Sequence, residues 1–265
     1  MGNERSLKCY QRTISSDAFR KTFFFPKNTE WSLLSLLLIL SLKEKKVISV
    51  LRALFPELGT LIISFKWNFV IRLFLRRKIK MSGWIKFHQN PYFKIKSIKS
   101  PSIIIGKGAV FNGKIDLRTR DSSRIFLGED VNLDGPIRLV AAGDNSFIRL
   151  GKSCRLTPFT IINGGGTVNI GSGTIIGSHF TLNANTHDFK TQFPILTSGF
   201  IHHDISIGED VWIGNSVSIL PGAEVGNHCV IGAQSLVNSK LPDWSISAGS
   251  PARVINTRFP NRFKS

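Results

Sequence analysis

Cysteine is scarce in this sequence, because the 265 residues include only three, an odd number. Such a count does not favour a disulfide-stapled scaffold and is typical of a protein from a reducing compartment. Acidic residues are also few, 17 against 35 lysines and arginines, so the formal net charge is +18. Hydrophobic residues make up 42% of the chain, a balance that excludes a wholly disordered protein.

Long hydrophobic runs are lacking as well. The longest, Trp31 to Leu42, has about half of the ~20 residues that a membrane-spanning helix needs. The stretch from Leu58 to Leu75 is longer but contains Lys66 and Arg72. Because Met1 to Tyr10 is polar, an ordinary secretory signal is not indicated. We therefore expect a cytoplasmic protein, with peripheral contact to the inner face of the membrane as a further expectation.

Aliphatic residues recur every six positions in the second half of the chain. They are Ile207, Ile213, Ile219, Val225, Ile231 and Val237, and glycine follows four of them. The same aliphatic–glycine unit occurs earlier, for example at Ile105-Gly106 and Leu127-Gly128. A period of six fits neither an amphipathic helix nor a two-residue strand alternation. It fits a triangular coil with one hexapeptide per face, the aliphatic residue inward, and a glycine corner whose backbone angles a bulky residue would resist.

This rhythm resembles the left-handed parallel β-helix of hexapeptide-repeat proteins, over about residues 103–255. The resemblance implies an all-β fold, preceded by a smaller, basic and partly helical N-terminal region. We expect the N-terminal region at 1–100, the β-helix domain at 101–257 with a loop at 188–204, and a tail at 258–265. Cys154 and Cys229 hold the small position of their hexapeptides and are expected to pack inward.

The basic charge is concentrated in the N-terminal region. Residues 1–100 contain 20 basic and 5 acidic residues, 20 − 5 = +15, whereas residues 101–265 contain 15 and 12, 15 − 12 = +3. One or two amphipathic helices are expected between Trp31 and Leu58, ended by Pro56, and a strand at 60–65. Such a region suits either a cap on the first coil or a surface that contacts anionic lipid. No nucleic-acid motif is present, so we expect no nucleic-acid partner.

The hexapeptide rhythm stops after His187 and resumes at Ile205. The intervening loop is rich in aromatic residues, which favours an ordered segment with a function. An imidazole at its start can accept a proton from a hydroxyl group near neutral pH, as a general base does. Asp188 follows directly and is expected to shape the loop rather than to orient the ring.

Three sequence blocks resemble the hexapeptide-repeat O-acetyltransferases of the maltose, galactoside and surface-polysaccharide type. They are N-T-H-D-F at 185–189, I-G-E-D-V-W-I-G at 207–214 and A-G-S-P-A-R-V-I at 248–255. The resemblance implies a homotrimer that uses acetyl-CoA, with sites between neighbouring prisms. It also implies that a saccharide hydroxyl attacks the thioester directly. The expected acceptor belongs to bacterial capsule, lipopolysaccharide or exopolysaccharide synthesis, and lipid-linked precursors are included.

The same resemblance implies roles for individual residues. His187 would remove the proton from the acceptor hydroxyl. The residues beside acceptor and thioester would be Trp212, Asn185 and Thr157, and those along the cofactor would be Asn215, Ala233, Lys240, Ser250 and Arg253. Thr157 stands where the family often has an asparagine, and Asn163 is the other candidate for that role.

Two alternatives remain open at this point. Hexapeptide prisms also form carbonic anhydrases with a three-histidine zinc site, but the close His-x4-His pair of those enzymes is missing here, so no metal is expected. A non-catalytic scaffold is the second alternative, and the long loop after His187 argues against it. A sugar-phosphate nucleotidyltransferase is excluded, because no glycine-rich nucleotide loop precedes residue 100.

Overall fold

The computed structural model describes residues 56–259, and these contain one helix and a β-solenoid. Helix α1 spans Pro56–Phe74. The strands of the first coils are β1 (Ile79–Met81), β2 (Lys86–Phe87), β3 (Tyr92–Ile95), β4 (Ile103–Ile105), β5 (Val110–Asn112), β6 (Ile115–Thr119), β7 (Arg124–Leu127), β8 (Asn132–Asp134), β9 (Ile137–Ala141), β10 (Phe147–Leu150), β11 (Arg155–Leu156), β12 (Thr160–Gly164) and β13 (Val168–Ile170). The remaining strands are β14 (Ile175–Ile176), β15 (Thr181–Asn183), β16 (Asn185–His187), β17 (Phe200–His202), β18 (Ile205–Ile207), β19 (Trp212–Ile213), β20 (Ser218–Ile219), β21 (Glu224–Val225), β22 (Val230–Ile231), β23 (Leu236–Val237), β24 (Lys240–Leu241), β25 (Ser245–Ala248) and β26 (Arg253–Thr257).

Apart from β16 and β17, successive strands belong in turn to three sheets, which we call A, B and C. Sheet A contains β1, β4, β7, β10, β13, β18, β21 and β24; sheet B contains β2, β5, β8, β11, β14, β19, β22, β25 and β26; sheet C contains β3, β6, β9, β12, β15, β20 and β23. Neighbours within these sheets are parallel, except that β26 returns antiparallel to β25. The predicted repeat prism is therefore confirmed, with corners that we call AB, BC and CA after the sheets they join.

The aliphatic residue of each hexapeptide faces inward, as predicted. The side chains of Ile213 and Ile219 are fully buried, and Ile213 lies between Ile176 and Ile231 of the neighbouring rungs. Cys154 and Cys229 are buried and free, as expected from their small positions. Burial raises the pKa of the Cys154 thiol to about 11, so this thiol is a packing group rather than a nucleophile.

The glycine after each aliphatic residue is required for space. A Cβ added to Gly128 would lie 2.6 Å from the carbonyl carbon of Gly151 on the next coil, while the φ of Gly128 is not left-handed. The left-handed corner residue falls two places later, for example at Asp130 with φ 55° and Asp210 with φ 52°. The expectation that this glycine supplies unusual backbone angles is therefore wrong, and close packing between coils is the reason for it.

Helix α1 covers the start of the solenoid. The predicted strand at 60–65 is wrong, because these residues are helical and their spacing of four places Ser64 and Asn68 on the buried face of α1. Asn68 donates to the carbonyl of Ile85 (2.7 Å) and accepts from its amide (3.1 Å), while Ser64 accepts from the amide of Phe87 (2.9 Å). Because no rung precedes this one among the described residues, these bonds supply the partners that the backbone groups of Ile85 and Phe87 would otherwise lack. Tertiary contacts therefore override the β propensity of residues 60–65.

Pro56 is the first residue of α1, a position that suits proline because the first turn needs no amide donor from its first residue. One boundary differs from expectation. The first rung starts at Ile79, which pairs with Ile103, so the coils begin before residue 101. Cys9, the helical segment expected before residue 56 and the tail after residue 259 lie outside the described residues.

Candidate active site

A hairpin interrupts the solenoid at corner CA. Strand β16 leaves the corner after β15 and pairs antiparallel with β17, after which the chain enters sheet A through β18. His187 is paired with Phe200, and Asn185 with His202. Because directly paired residues share one face of a ladder, these four side chains lie together on one face of the hairpin.

His187 is exposed at the end of β16. Its ring centroid lies 4.4 Å from that of Phe200, with the planes tilted by 36°. Among residues 56–259, no hydrogen-bond partner is found for either ring nitrogen of His187, so both nitrogens are available to a ligand. The Asp188 carboxylate accepts from the amide of Lys190 at 3.2 Å, which fits the loop-shaping role expected for it.

Small and polar residues lie at several rungs of corner BC. The Thr157 hydroxyl donates a hydrogen bond to the carbonyl of Ile176 (2.9 Å). It also lies 3.2 Å from the hydroxyl of Ser178. The side-chain oxygen of Asn215 accepts from the amide of Ser178 (2.9 Å). Packing is tight here, because a Cβ on Gly214 would lie 2.6 Å from the amide nitrogen of Ala233. These positions form a strip without bulky side chains, whereas the stacked rings of Phe159 and His179, with 4.7 Å between their centroids, lie on the same corner.

The structure brings some of the predicted site residues together and separates others. Thr157, Asn215 and Ala233 belong to corner BC and Ser250 to the turn between β25 and β26, whereas Asn185 and His187 belong to the hairpin at corner CA. Trp212 lies on the outer face of sheet B, with 60% of its surface exposed.

The two basic residues predicted for the cofactor lie elsewhere. Lys240 is in sheet A, where it forms an ion pair with Glu224 at 2.9 Å. Arg253 is on β26, and its guanidinium donates to the carbonyl of Ala252 at 3.0 Å. Asn163, the alternative to Thr157, donates to the side chain of Asn183 (2.8 Å) in sheet C.

Sequence reasoning did not assign Phe200 and His202 to the site. Their rings are 6.5 Å apart and nearly parallel, at 15°, so His187, Phe200 and His202 form one row. The sequence feature that could have indicated them is the spacing of two between Phe200 and His202, which places both side chains on one face of a strand.

Neither a metal-binding cluster nor a membrane-spanning helix occurs in the described part of the chain. Between residues 56 and 259, no three His, Cys, Asp or Glu side chains are grouped so that they could hold a metal ion. Within the same range, no helix is both long and apolar enough to cross a membrane.

The comparisons with known proteins agree with this architecture. Residues 204–239 match the model of the bacterial transferase hexapeptide family, which describes six repeats. WbbJ of Escherichia coli K12, named "Putative lipopolysaccharide biosynthesis O-acetyl transferase", is 31% identical over 145 residues, covering 51% of this chain and 73% of WbbJ. A probable acetyltransferase from Mycobacterium tuberculosis is 31% identical over 158 residues, covering 58% of this chain and 52% of that protein.

The match to a third relative covers a shorter segment. Galactoside O-acetyltransferase of Escherichia coli K12 is 38% identical over 90 residues, covering 34% of this chain and 43% of the enzyme. The chain therefore spans about half the length of the mycobacterial relative and less of the galactoside enzyme, but nearly three quarters of WbbJ. Because the fold is a hexapeptide-repeat solenoid and the match at 31% identity covers 73% of WbbJ, the chain belongs to the hexapeptide-repeat acetyltransferases.

Proposed function

We propose that this protein transfers an acetyl group from acetyl-CoA to a saccharide hydroxyl during the synthesis of a bacterial surface polysaccharide. The observation that carries the proposal is the hairpin at corner CA, which presents His187 exposed, without a hydrogen-bond partner among the described residues and beside the ring of Phe200. The lipopolysaccharide and galactoside relatives support a sugar acceptor.

The proposed reaction is a direct transfer. A ring nitrogen of His187 takes the proton from the acceptor hydroxyl, whose oxygen attacks the thioester carbon. The carbon–sulfur bond breaks as the carbon–oxygen ester bond is completed, and the imidazolium returns its proton to the sulfur. Binding both substrates side by side supplies much of the acceleration, because it replaces an encounter in solution.

The strip at corner BC is the proposed path of the cofactor's pantetheine arm. Gly177 packs against Asn215 and Gly214 against Ala233, so a thin chain can approach the backbone there, and Ser250 lies in the turn after β25. Arg253 is favoured for the cofactor phosphates, because guanidinium groups suit bidentate contact. Lys240 remains a second candidate, although its ammonium group already contacts Glu224.

A neighbouring copy is needed to complete this site. His187 and Asn185 occupy corner CA, whereas Trp212 lies on sheet B and Thr157 at corner BC. We therefore propose a homotrimer in which the hairpin of one protomer faces sheet B and corner BC of the next. The exposed apolar column formed by Ile175 and Trp212 on adjacent rungs supports sheet B as a contact face.

Replacing His187 tests the proposed chemistry. We expect His187→Ala to lower the turnover number by a factor of about 10²–10⁴, the usual contribution of a general base, and to leave the KM for acetyl-CoA nearly unchanged. Release of free CoA, with acetylated saccharide measured by mass spectrometry, is the assay. His203→Ala is the matched control, because His203 is also exposed but follows the hairpin and is not in the ring row. Equal turnover of His187→Ala and the wild type would remove His187 as the base.

The second part of the proposal concerns a membrane surface. The end of α1 exposes Leu73 and Phe74, with 54% and 72% of their surfaces accessible, next to the exposed cations Arg72, Arg76 and Arg77. Apolar side chains flanked by arginines suit the headgroup layer of an anionic bilayer. We propose that this surface holds the cytoplasmic enzyme at the inner face of the membrane, close to lipid-linked acceptors.

Vesicle binding tests this surface. We expect the full chain to sediment with phosphatidylglycerol vesicles and not with phosphatidylcholine vesicles. Arg76→Glu with Arg77→Glu should lower the bound fraction several-fold, at about 1 kcal/mol per lost cation and with added repulsion. Lys107→Glu with Lys152→Glu, at corner AB, makes the same change of charge elsewhere. If both pairs of substitutions weaken binding equally, the attraction to the vesicles comes from the overall positive charge of the protein and not from the surface at the end of α1.

A further inference from the structure

A groove of about 480 Å³ runs along corner CA beside the catalytic hairpin. It is formed by successive coils, with Asp121, Asp144 and Gly165 from the turns after β6, β9 and β12, and His202 and Asp204 from the return of the hairpin. Four rungs at ~4.8 Å spacing give a length of about 14 Å. This is longer than a single sugar ring, so the groove has room for a saccharide chain.

The groove joins the ring row of the hairpin. His202 lines it and is paired with Asn185, and both would contact a Cβ added to Gly165. Phe200 lies between His202 and His187, and 57% of its surface is exposed. A pyranose can rest its C–H face on such a ring while its hydroxyls reach polar groups on either side.

The carboxylates of the groove are held in place by the chain itself. One oxygen of Asp204 accepts from the amide of Thr167 (2.7 Å), and one oxygen of Asp121 from the amide of Gly143 (3.0 Å). Asp144 accepts from the hydroxyl of Ser122 (3.2 Å). Within residues 56–259 these bonds use one oxygen of each carboxylate, and no cationic side chain pairs with any of the three. The second oxygen of each remains an acceptor for hydroxyl or ammonium donors.

We infer that this groove binds the acceptor chain next to the acetylated sugar, and that it selects neutral or amino sugars against sugars that carry a carboxylate, phosphate or sulfate. Three carboxylates that have no cationic partner among residues 56–259 would repel an anionic sugar, and an anion would also leave their second oxygens without hydrogen-bond donors. The chain as a whole has a charge of +18, so this local selection is opposite to what its overall charge favours. The inference rests on the proposed acetyl transfer, since it extends the acceptor site of that reaction.

An oligosaccharide array, read without acetyl-CoA, tests the groove. The probes are matched neutral, amino and acidic oligosaccharides of two to four sugars, with the fluorescently labelled full chain as the binding protein. We expect neutral or amino oligosaccharides to give the strongest signals. Asp144→Lys should lower these by about tenfold or more, since a hydrogen bond to a charged group is lost and a cation is introduced, and should raise the signals of acidic probes. Glu129→Lys, at corner AB, makes the same charge change outside the groove and should keep the wild-type pattern.

Further variants separate this inference from the proposed function. His202→Ala should weaken binding of the longer probes. His187→Ala should keep the wild-type preference for neutral and amino probes over acidic ones, because the three carboxylates of the groove are intact, although its acetyl transfer is lost. The groove is refuted if acidic probes bind best to the wild type, if no probe binds, or if Asp144→Lys gives the wild-type pattern while its melting temperature is unchanged. Any of these results would leave the His187 assay to stand on its own, and failure of that assay would not alter the array pattern.

Discussion

Asp210 occupies a left-handed corner position and holds two groups from later in the chain. Its carboxylate lies 3.0 Å from a ring nitrogen of His228 and 2.8 Å from the guanidinium of Arg258. His228 in turn stacks on Trp244, with 3.9 Å between ring centroids. The hydrogen bond from His228, followed by that from Arg258, lowers the pKa of Asp210 below its usual value. This group therefore ties the segment after β26 to corner AB.

The lowered pKa of Asp210 predicts how the stability of the fold changes with pH. The folded state favours ionised Asp210, so its contribution to stability is present above the unfolded pKa of about 3.9 and is lost as the pH falls through the lower folded value. We expect Asp210→Asn to melt at a lower temperature than the wild type at pH 5–7, and the difference to shrink at pH values below about 4. Thermal unfolding followed by circular dichroism across this range is the measurement.

Asp130 provides the matched control for that experiment. It has the equivalent corner position with φ 55°, but among the described residues its carboxylate has no hydrogen bond or ion pair. Asp130→Asn should therefore leave the melting temperature nearly unchanged at every pH. A constant difference between the wild type and Asp210→Asn from pH 7 to pH 3 would contradict the proposed contact.

Single residues could be predicted from the sequence where they break or fill the repeat. His187 stands out because the six-residue rhythm stops beside it, and Cys154 because it fills a small inward position. Phe200 and His202 could not be placed, because their neighbours depend on the register of β16 against β17. A 12-residue connection does not fix that register, since only the shortest hairpin turns determine strand pairing from sequence.

At the scale of elements, the corners show which constraint acts on the repeat. The glycine after the aliphatic residue lies against the backbone of the next coil, so adding a methyl group there must separate two rungs. We expect Gly128→Ala to lower the free energy of unfolding by about 1–3 kcal/mol, as overpacking does in close-packed interiors. Urea unfolding measures the change.

Glu129→Ala is the control at the neighbouring position. Its carboxylate forms exposed ion pairs with Lys107 (3.5 Å) and Lys152 (3.7 Å), which contribute at most about 1 kcal/mol. If Gly128→Ala is as stable as the wild type, the 2.6 Å approach to Gly151 does not constrain the corner, and the glycine would need another explanation.

Helix α1 shows where element prediction from sequence fails. The stretch from Thr60 to Phe65 is β-rich by composition, but its role is set by Ile85 and Phe87, whose backbone groups need partners at the open end of the prism. Periodicity describes the repeating coils well because each coil makes the same contacts as the next. The end of a solenoid has no such repetition, so its cap is determined by contacts that no local pattern reveals.

At the scale of the whole molecule, the arrangement of the predicted residues points to a shared site. The prism is a stiff stack of coils, and it keeps corner CA apart from the outer face of sheet B. In the proposed homotrimer, His187 of one chain and Trp212 of the next would serve one substrate pair. If this is so, two inactive variants should complement each other when they assemble together.

Co-expression of His187→Ala with Trp212→Ala tests this expectation. Each variant alone should have little activity, because every one of its sites lacks one of the two side chains. In randomly mixed oligomers, half of the protomers supply an intact hairpin and half an intact sheet B, so about a quarter of the sites regain both. We therefore expect the mixture to recover about a quarter of the activity that the wild type loses through these substitutions, provided that light scattering shows the same oligomeric mass for both variants. Activity that stays at the level of the single variants would mean that both side chains serve a site within one chain, or that Trp212 takes no part.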